Sequence, residues 1–272
     1  MKKIIALVLV LSVVFAFAAC KGGKTEPTTE PDATPDTTAN VADTEKGEGV
    51  MTYAEYAAAA LDTEVTVETY VQAKQGWWTD SNSGKSQASF YTQDAEGGYF
   101  LYNLECSEEE YNKLVPGTKI KVTGTKSEWS GEVEIIDATY EIEDGYYTAA
   151  AADVTDLLGK DELAAKQNMF VSFTGMTVEA SADADGNEAA FLYSWDGSGS
   201  NDANSDLYFK VSKDGETYTF TVESYLCGND TEVYKAVEAL QIGDVIDMEG
   251  FLYWYNGANP HITAVTTTAN AK

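Results

Sequence analysis

Seven aromatic side chains and two cysteines are the residues of this chain whose types and spacing bear most directly on chemistry. Trp77 and Trp78 are adjacent, Trp129 and Trp195 stand alone, and Tyr253, Trp254 and Tyr255 form a run. Large flat rings with a polar edge can build a platform for sugar rings, peptide side chains or another planar surface. Their alternative use is structural, closing a domain's end or filling the seam between two domains. Cys106 and Cys227 each fall just after an expected strand and before an expected helix. They could join two domains by a disulfide in an exported protein, or serve as small buried hydrophobic side chains.

Other chemistry is poorly supplied. His261 is the only histidine and no CxxC occurs, so a zinc site of the usual Cys/His kind is excluded. Neither HExxH nor GxSxG is present. Gly84-Lys85-Ser86 lacks the upstream glycine of a phosphate loop and sits between two strands rather than before a helix. Carboxylate pairs are so frequent that none stands out as acid and base. The sequence names no catalytic residue and leans away from an enzyme.

Charge narrows the partners. There are 45 Asp and Glu against 17 basic residues, all of them lysine, for a formal net charge of -28. Such a surface repels phosphate backbones and has no guanidinium forks to grip them. Nucleic acid is therefore not the expected partner; an oligosaccharide or an envelope protein suits the surface better.

The elements that must position these residues follow in chain order. Residues 1–19 have a lysine pair, an apolar run and small residues, the form of a secretory signal. Phe17-Ala18-Ala19-Cys20 resembles a bacterial lipoprotein lipobox. That resemblance implies a diacylglycerol and palmitate-type anchor on Cys20, and an address on the extracytoplasmic face of the cell membrane. Residues 20–50 are rich in Thr, Pro, Glu and Asp with few large apolar groups, which predicts a disordered acidic tether.

From Met51 the pattern is mainly β. Glu64–Lys74 alternates, with Val65, Val67, Thr69 and Val71 on one face. Strands Ser89–Gln93 and Tyr99–Glu105 follow. Ser107 and Glu110 make a capping box for a short helix ending at Pro116-Gly117, and two further strands complete the unit. The plan then repeats: a helix over Asp156–Lys166, a strand over Met169–Ser181, a hairpin at Asp214-Gly215, a helix over Thr231–Leu240 and two strands. A glycine ladder marks the duplication. Gly117, Gly124 and Gly131 stand seven apart, as do Gly243, Gly250 and Gly257.

Two copies of the order β-β-β-α-β-β resemble tandem OB-folds, five-stranded Greek-key barrels with a helix between strands three and four. The helix SEEEYNKL before PGTKIKVTG makes the first copy similar to OB domains of envelope lipoproteins from Gram-positive, clostridial-type bacteria. The resemblance implies domains over residues 51–146 and 147–268. It also implies that ligands meet the face of strands two and three and the loops joining strands one to two and four to five. Trp77 and Trp78 fall in the first one-two loop and Trp195 in the second. Trp129 falls in the first four-five loop, and Tyr253, Trp254 and Tyr255 in the second.

The insertion Asp183–Asp206 is rich in oxygen ligands, and DADGNE resembles part of a calcium loop. It lacks the later ligands, so calcium is only a weak expectation and no other cofactor is expected. The function expected from sequence is a lipid-anchored binding protein that engages a glycan or protein through its aromatic loops. The alternative is an accessory or catalytic component acting on an extracellular polymer, with a nucleic-acid binder third.

Overall fold

The computed structural model describes residues 40–271. The leader, Cys20 and the first part of the expected tether lie outside the described residues. Helix α1 (Tyr53–Ala58) is followed by β1 (Thr63–Lys74), β2 (Ser86–Gln93), β3 (Gly98–Glu105), α2 (Glu108–Lys113), β4 (Thr118–Trp129) and β5 (Glu132–Tyr146). The second half contributes β6 (Phe170–Glu179), β7 (Leu207–Lys213), β8 (Glu216–Val222), α3 (Glu232–Glu238), β9 (Val245–Phe251) and β10 (His261–Ala269).

Each half closes in the same way. β1 pairs antiparallel with β2 and β4, β2 with β3, and β4 with β5, and β3 meets β5 in parallel at Phe100–Glu134 and Leu101–Ile135. In the second half β6 pairs with β7 and β9, β7 with β8, and β9 with β10. There β8 meets β10 in parallel at Thr221–His261. Both barrels are OB-folds.

Local chemistry explains the elements. Thr52 with Glu55 and Ser107 with Glu110 form full capping boxes, and Thr231 caps α3. The middle glycines of the ladder are places of close approach. A Cβ on Gly124 would stand 2.7 Å from Ile135 Cγ2, and one on Gly250 would strike the His261 carbonyl. Both sit at shifts of strand register, where a bulge turns the strand around the barrel. The helix expected over Asp156–Lys166 is instead two 3-10 turns, Thr155–Leu157 and Asp161–Lys166. Gly159 lies between them in the left-handed region and breaks the run.

Val65, Val67 and Val71 point into the first core with Phe90, Leu101 and Ile135, while Val171, Phe173, Phe209 and Phe220 anchor the second. Burying each such side chain contributes about 1.5–3 kcal/mol. The tether expected over residues 20–50 needs correction at its end, because residues 40–50 lie against the first barrel. Lys46 Nζ pairs with Asp94 at 2.7 Å, and Asp43 joins Glu68 and Glu143 around Lys119. The outward face of β1, carrying Glu68 and Tyr70, is buried beneath this strap. Charge pairing orders a segment whose apolar content is too low to order it.

A third apolar cluster, Tyr91, Phe100 and Phe251, joins the two barrels. Tyr91 stacks on Phe251 at 4.4 Å, and its hydroxyl lies 2.9 Å from His261 Nδ1. Around it, Phe170 N–H donates to Gln93 Oε1 at 2.7 Å, Asn168 Nδ2 to the Val133 carbonyl at 2.9 Å, and Gln167 Nε2 to the Gly131 carbonyl at 2.8 Å.

Candidate functional site

Beside this seam lies a cleft of about 840 Å³, within the range of small-ligand sites. The first barrel supplies Trp77 and Trp78 from the loop after β1, Phe100 and Tyr102 from β3, and Trp129 at the end of β4. The second supplies Tyr208 from β7, Tyr225 after β8, and Tyr253 and Tyr255 from the loop before β10. Trp129 and Tyr255 meet across the cleft with ring centroids 5.3 Å apart. Period-two alternation sets up one wall: Tyr99 and Leu101 face the first core, so Phe100 and Tyr102 face the second barrel. Trp78 is 45% exposed, Tyr102 46%, Trp129 54% and Tyr225 67%, so ring faces are open to a ligand.

Five of the seven aromatic residues singled out in the sequence converge here: Trp77, Trp78, Trp129, Tyr253 and Tyr255. Trp77 is the most constrained, since its Nε1 donates to the Cys106 carbonyl at 3.0 Å and its ring packs on the first core. The other two lie elsewhere. Trp195 stands 77% exposed in the insertion, away from the cleft lining. Trp254 packs against the second core, covers Gly131, and donates its backbone N–H to Glu132 Oε2 at 2.8 Å. It belongs to the seam.

The polar lining is acidic, and no lysine takes part. Glu134 on β5 is 7% exposed and carries no hydrogen bond or ion pair among the described residues. Burial pushes its carboxyl up to about 7. Glu223 after β8 accepts from Gln75 Nε2 at 3.0 Å and from the Tyr225 N–H at 3.3 Å. Burial and then the charge of Asp206 push it up to about 7. His261 at the base is pushed down to about 3 by burial and is neutral. Behind the cleft, Glu132 is wholly buried, and burial holds its carboxyl well above the usual range.

Cys106 and Cys227 are free, buried thiols, one in each half, and burial pushes them up to about 11 and about 12. The disulfide alternative is thereby corrected: each thiol serves as a small apolar filler in its own core. Among the described residues no group of three or more His, Cys, Asp or Glu side chains is placed to hold a metal. In the suspected calcium loop, Asp183 Oδ1 accepts the amides of Asp185 and Asn187 at 2.9 and 2.8 Å. No helix among the described residues is long and apolar enough to cross a membrane.

Sequence reasoning missed Tyr102, Tyr208, Tyr225, Glu134 and Glu223. The only available signal was the outward register of Tyr102 beside Phe100, in a chain with 17 tyrosines.

No protein-family model matches the chain, and no curated protein matches it. Among solved structures it is similar to a murine DNA binding protein bound with double-stranded DNA, at 11% identity and a TM-score of 0.35, covering 76% of this chain and 98% of that one. It is similar to a HINa domain in complex with 20-bp double-stranded DNA, at 9% identity and a TM-score of 0.33, covering 78% and 98%. A replication protein A heterotrimer bound to single-stranded DNA matches at 11% identity and a TM-score of 0.31, covering 79% and 51%.

Composition sets nucleic acid aside and favours a glycan, an envelope protein or an extracellular polymer. That expectation finds no counterpart among these comparisons, where the solved chains are complexes with DNA. Net charge averages over a whole surface, whereas a base is held by ring faces that need no cation.

Proposed function

We propose that this chain is a binding module whose inter-barrel cleft stacks flat heteroaromatic rings of the nucleobase class. The base is presented by single-stranded nucleic acid or as a free nucleoside. One observation carries the reading: rings from both barrels line a single cleft, five of them at least 45% exposed, and no lysine interrupts them. Stacking on such rings contributes about 1–3 kcal/mol per base and tolerates every base, since each has a π face. Solved chains of similar fold bound to DNA are consistent with this ligand class.

The acidic lining adds a signature. Phosphates remain outside the cleft, so few counterions are released on binding. Affinity for a short single-stranded oligonucleotide should hardly change between about 50 and 200 mM salt, where six to ten phosphate contacts would lose about 10³–10⁵-fold. Titration of tryptophan emission in the purified protein, with a strand and with nucleosides, tests both points. Binding with a shallow salt slope supports the reading. No response to any strand or nucleoside, or a steep slope, overturns it. A strand that binds where nucleosides fail identifies the single strand as the source of the base.

The lipobox at Cys20 supports a proposed address on the outer face of the cell membrane. Palmitate labelling that is lost in Cys20→Ser tests it.

A further inference from the structure

Stacking alone does not explain a carboxyl group that lines the cleft without a partner. Glu134 is 7% exposed on β5 and has no hydrogen bond or ion pair among the described residues. Its oxygens are accessible from the cleft, where they can accept from a bound donor. Glu223 approaches the same space from the other barrel. Its two bonds leave lone pairs free, because an ionised carboxylate has about four acceptor sites. The charged groups of the lining are Glu134, Asp206 and Glu223, and none is a cation.

We infer that Glu134, with Glu223 opposite, is the specificity-determining group of this cleft, and that it selects guanine among the bases. The inference rests on the base-binding reading above. Only guanine presents two N–H donors side by side, from its ring N1 and its 2-amino group, and these match the two oxygens of a carboxylate. Adenine and cytosine offer one amino group beside a ring acceptor that faces the second carboxylate oxygen. Thymine and uracil flank their single N–H with two carbonyl oxygens, which a carboxylate repels. An arginine or lysine lining would favour the acceptor edge of guanine instead, and neither is present.

The test compares guanosine with inosine, which keeps the stacking ring and lacks the 2-amino group. Tryptophan-emission titrations at about pH 8 keep both carboxyls in their ionised form. Guanosine should bind at least about tenfold more tightly than inosine and adenosine, the scale of one good bidentate contact. In Glu134→Gln the gap should shrink to within about threefold, since an amide has one donor and one acceptor where the carboxylate has two acceptors. Glu223→Gln should reduce the gap in part, and thermal melts confirm that each variant is folded. Equal binding of guanosine and inosine by the unaltered protein overturns the inference while leaving base stacking intact, as does a full preference in Glu134→Gln. If no nucleoside or strand binds, base stacking and the inference fall together.

Discussion

The hydroxyl of Tyr91 in the first barrel and Nδ1 of His261 in the second lie 2.9 Å apart at the buried seam. Tyr253 stacks on the same imidazole at 4.4 Å and lines the cleft, so the bond that joins the barrels also positions a wall of the site. Tyr91→Phe would leave a buried ring nitrogen without its partner, at a cost of about 1–3 kcal/mol. Urea unfolding should show a lowered midpoint with an unchanged m-value.

His261 also gives the fold an acid limit. Its folded value is about 3 because burial disfavours the charged ring; the unfolded value is about 6.5. The unfolded state therefore binds more protons between those values. The contribution is full above about 6.5 and is lost as pH falls towards 3. A Tm profile should fall on the acid side, and less steeply in a folded variant that replaces His261 with Gln.

Glu134 and Glu223 act in the opposite direction. Both are held at about 7 when folded, against about 4.3 unfolded. The folded state binds more protons in that window, so their contribution is full below about 4.3 and lost as pH rises through 7. Stability should decline from about pH 5 to pH 8. Glu134→Gln and Glu223→Gln should each flatten that decline in calorimetry.

The strap over residues 40–50 depends on a buried ion pair. Asp94 is 1% exposed, and besides Lys46 it accepts the Tyr99 hydroxyl and the amides of Glu96 and Gly97. Lys46→Met removes the cation and leaves the carboxylate in place, for a loss of about 3–5 kcal/mol. Chemical denaturation of that variant measures the loss. Protease sensitivity should appear first in residues 40–50.

Much of the fold was legible because its signals are local. Two capping boxes, the alternation from Val65 to Val71, the Asp214-Gly215 hairpin and the glycine ladder each report on neighbours a few residues apart. The site was only half legible. Trp77, Trp78, Trp129, Tyr253 and Tyr255 stand out as large rings in expected loops, but Glu134 and Glu223 are two of 45 acidic residues until burial singles them out. Trp254 looks the same in sequence as its neighbours Tyr253 and Tyr255. Its place in the seam is set by Gly131 and Glu132, more than a hundred residues away. The strap escaped notice because composition does not reveal that Lys46 will meet Asp94.

The account stands or falls on whether the cleft rings hold the ligand. Strand and nucleoside affinities should be measured by emission titration for the unaltered protein, Trp129→Ala and Trp195→Ala. Removing one stacking ring should weaken binding about 5–150-fold in Trp129→Ala, the equivalent of about 1–3 kcal/mol. Trp195→Ala, outside the cleft, should bind as the unaltered protein does. Equal affinity in Trp129→Ala, or a loss confined to Trp195→Ala, would contradict the account.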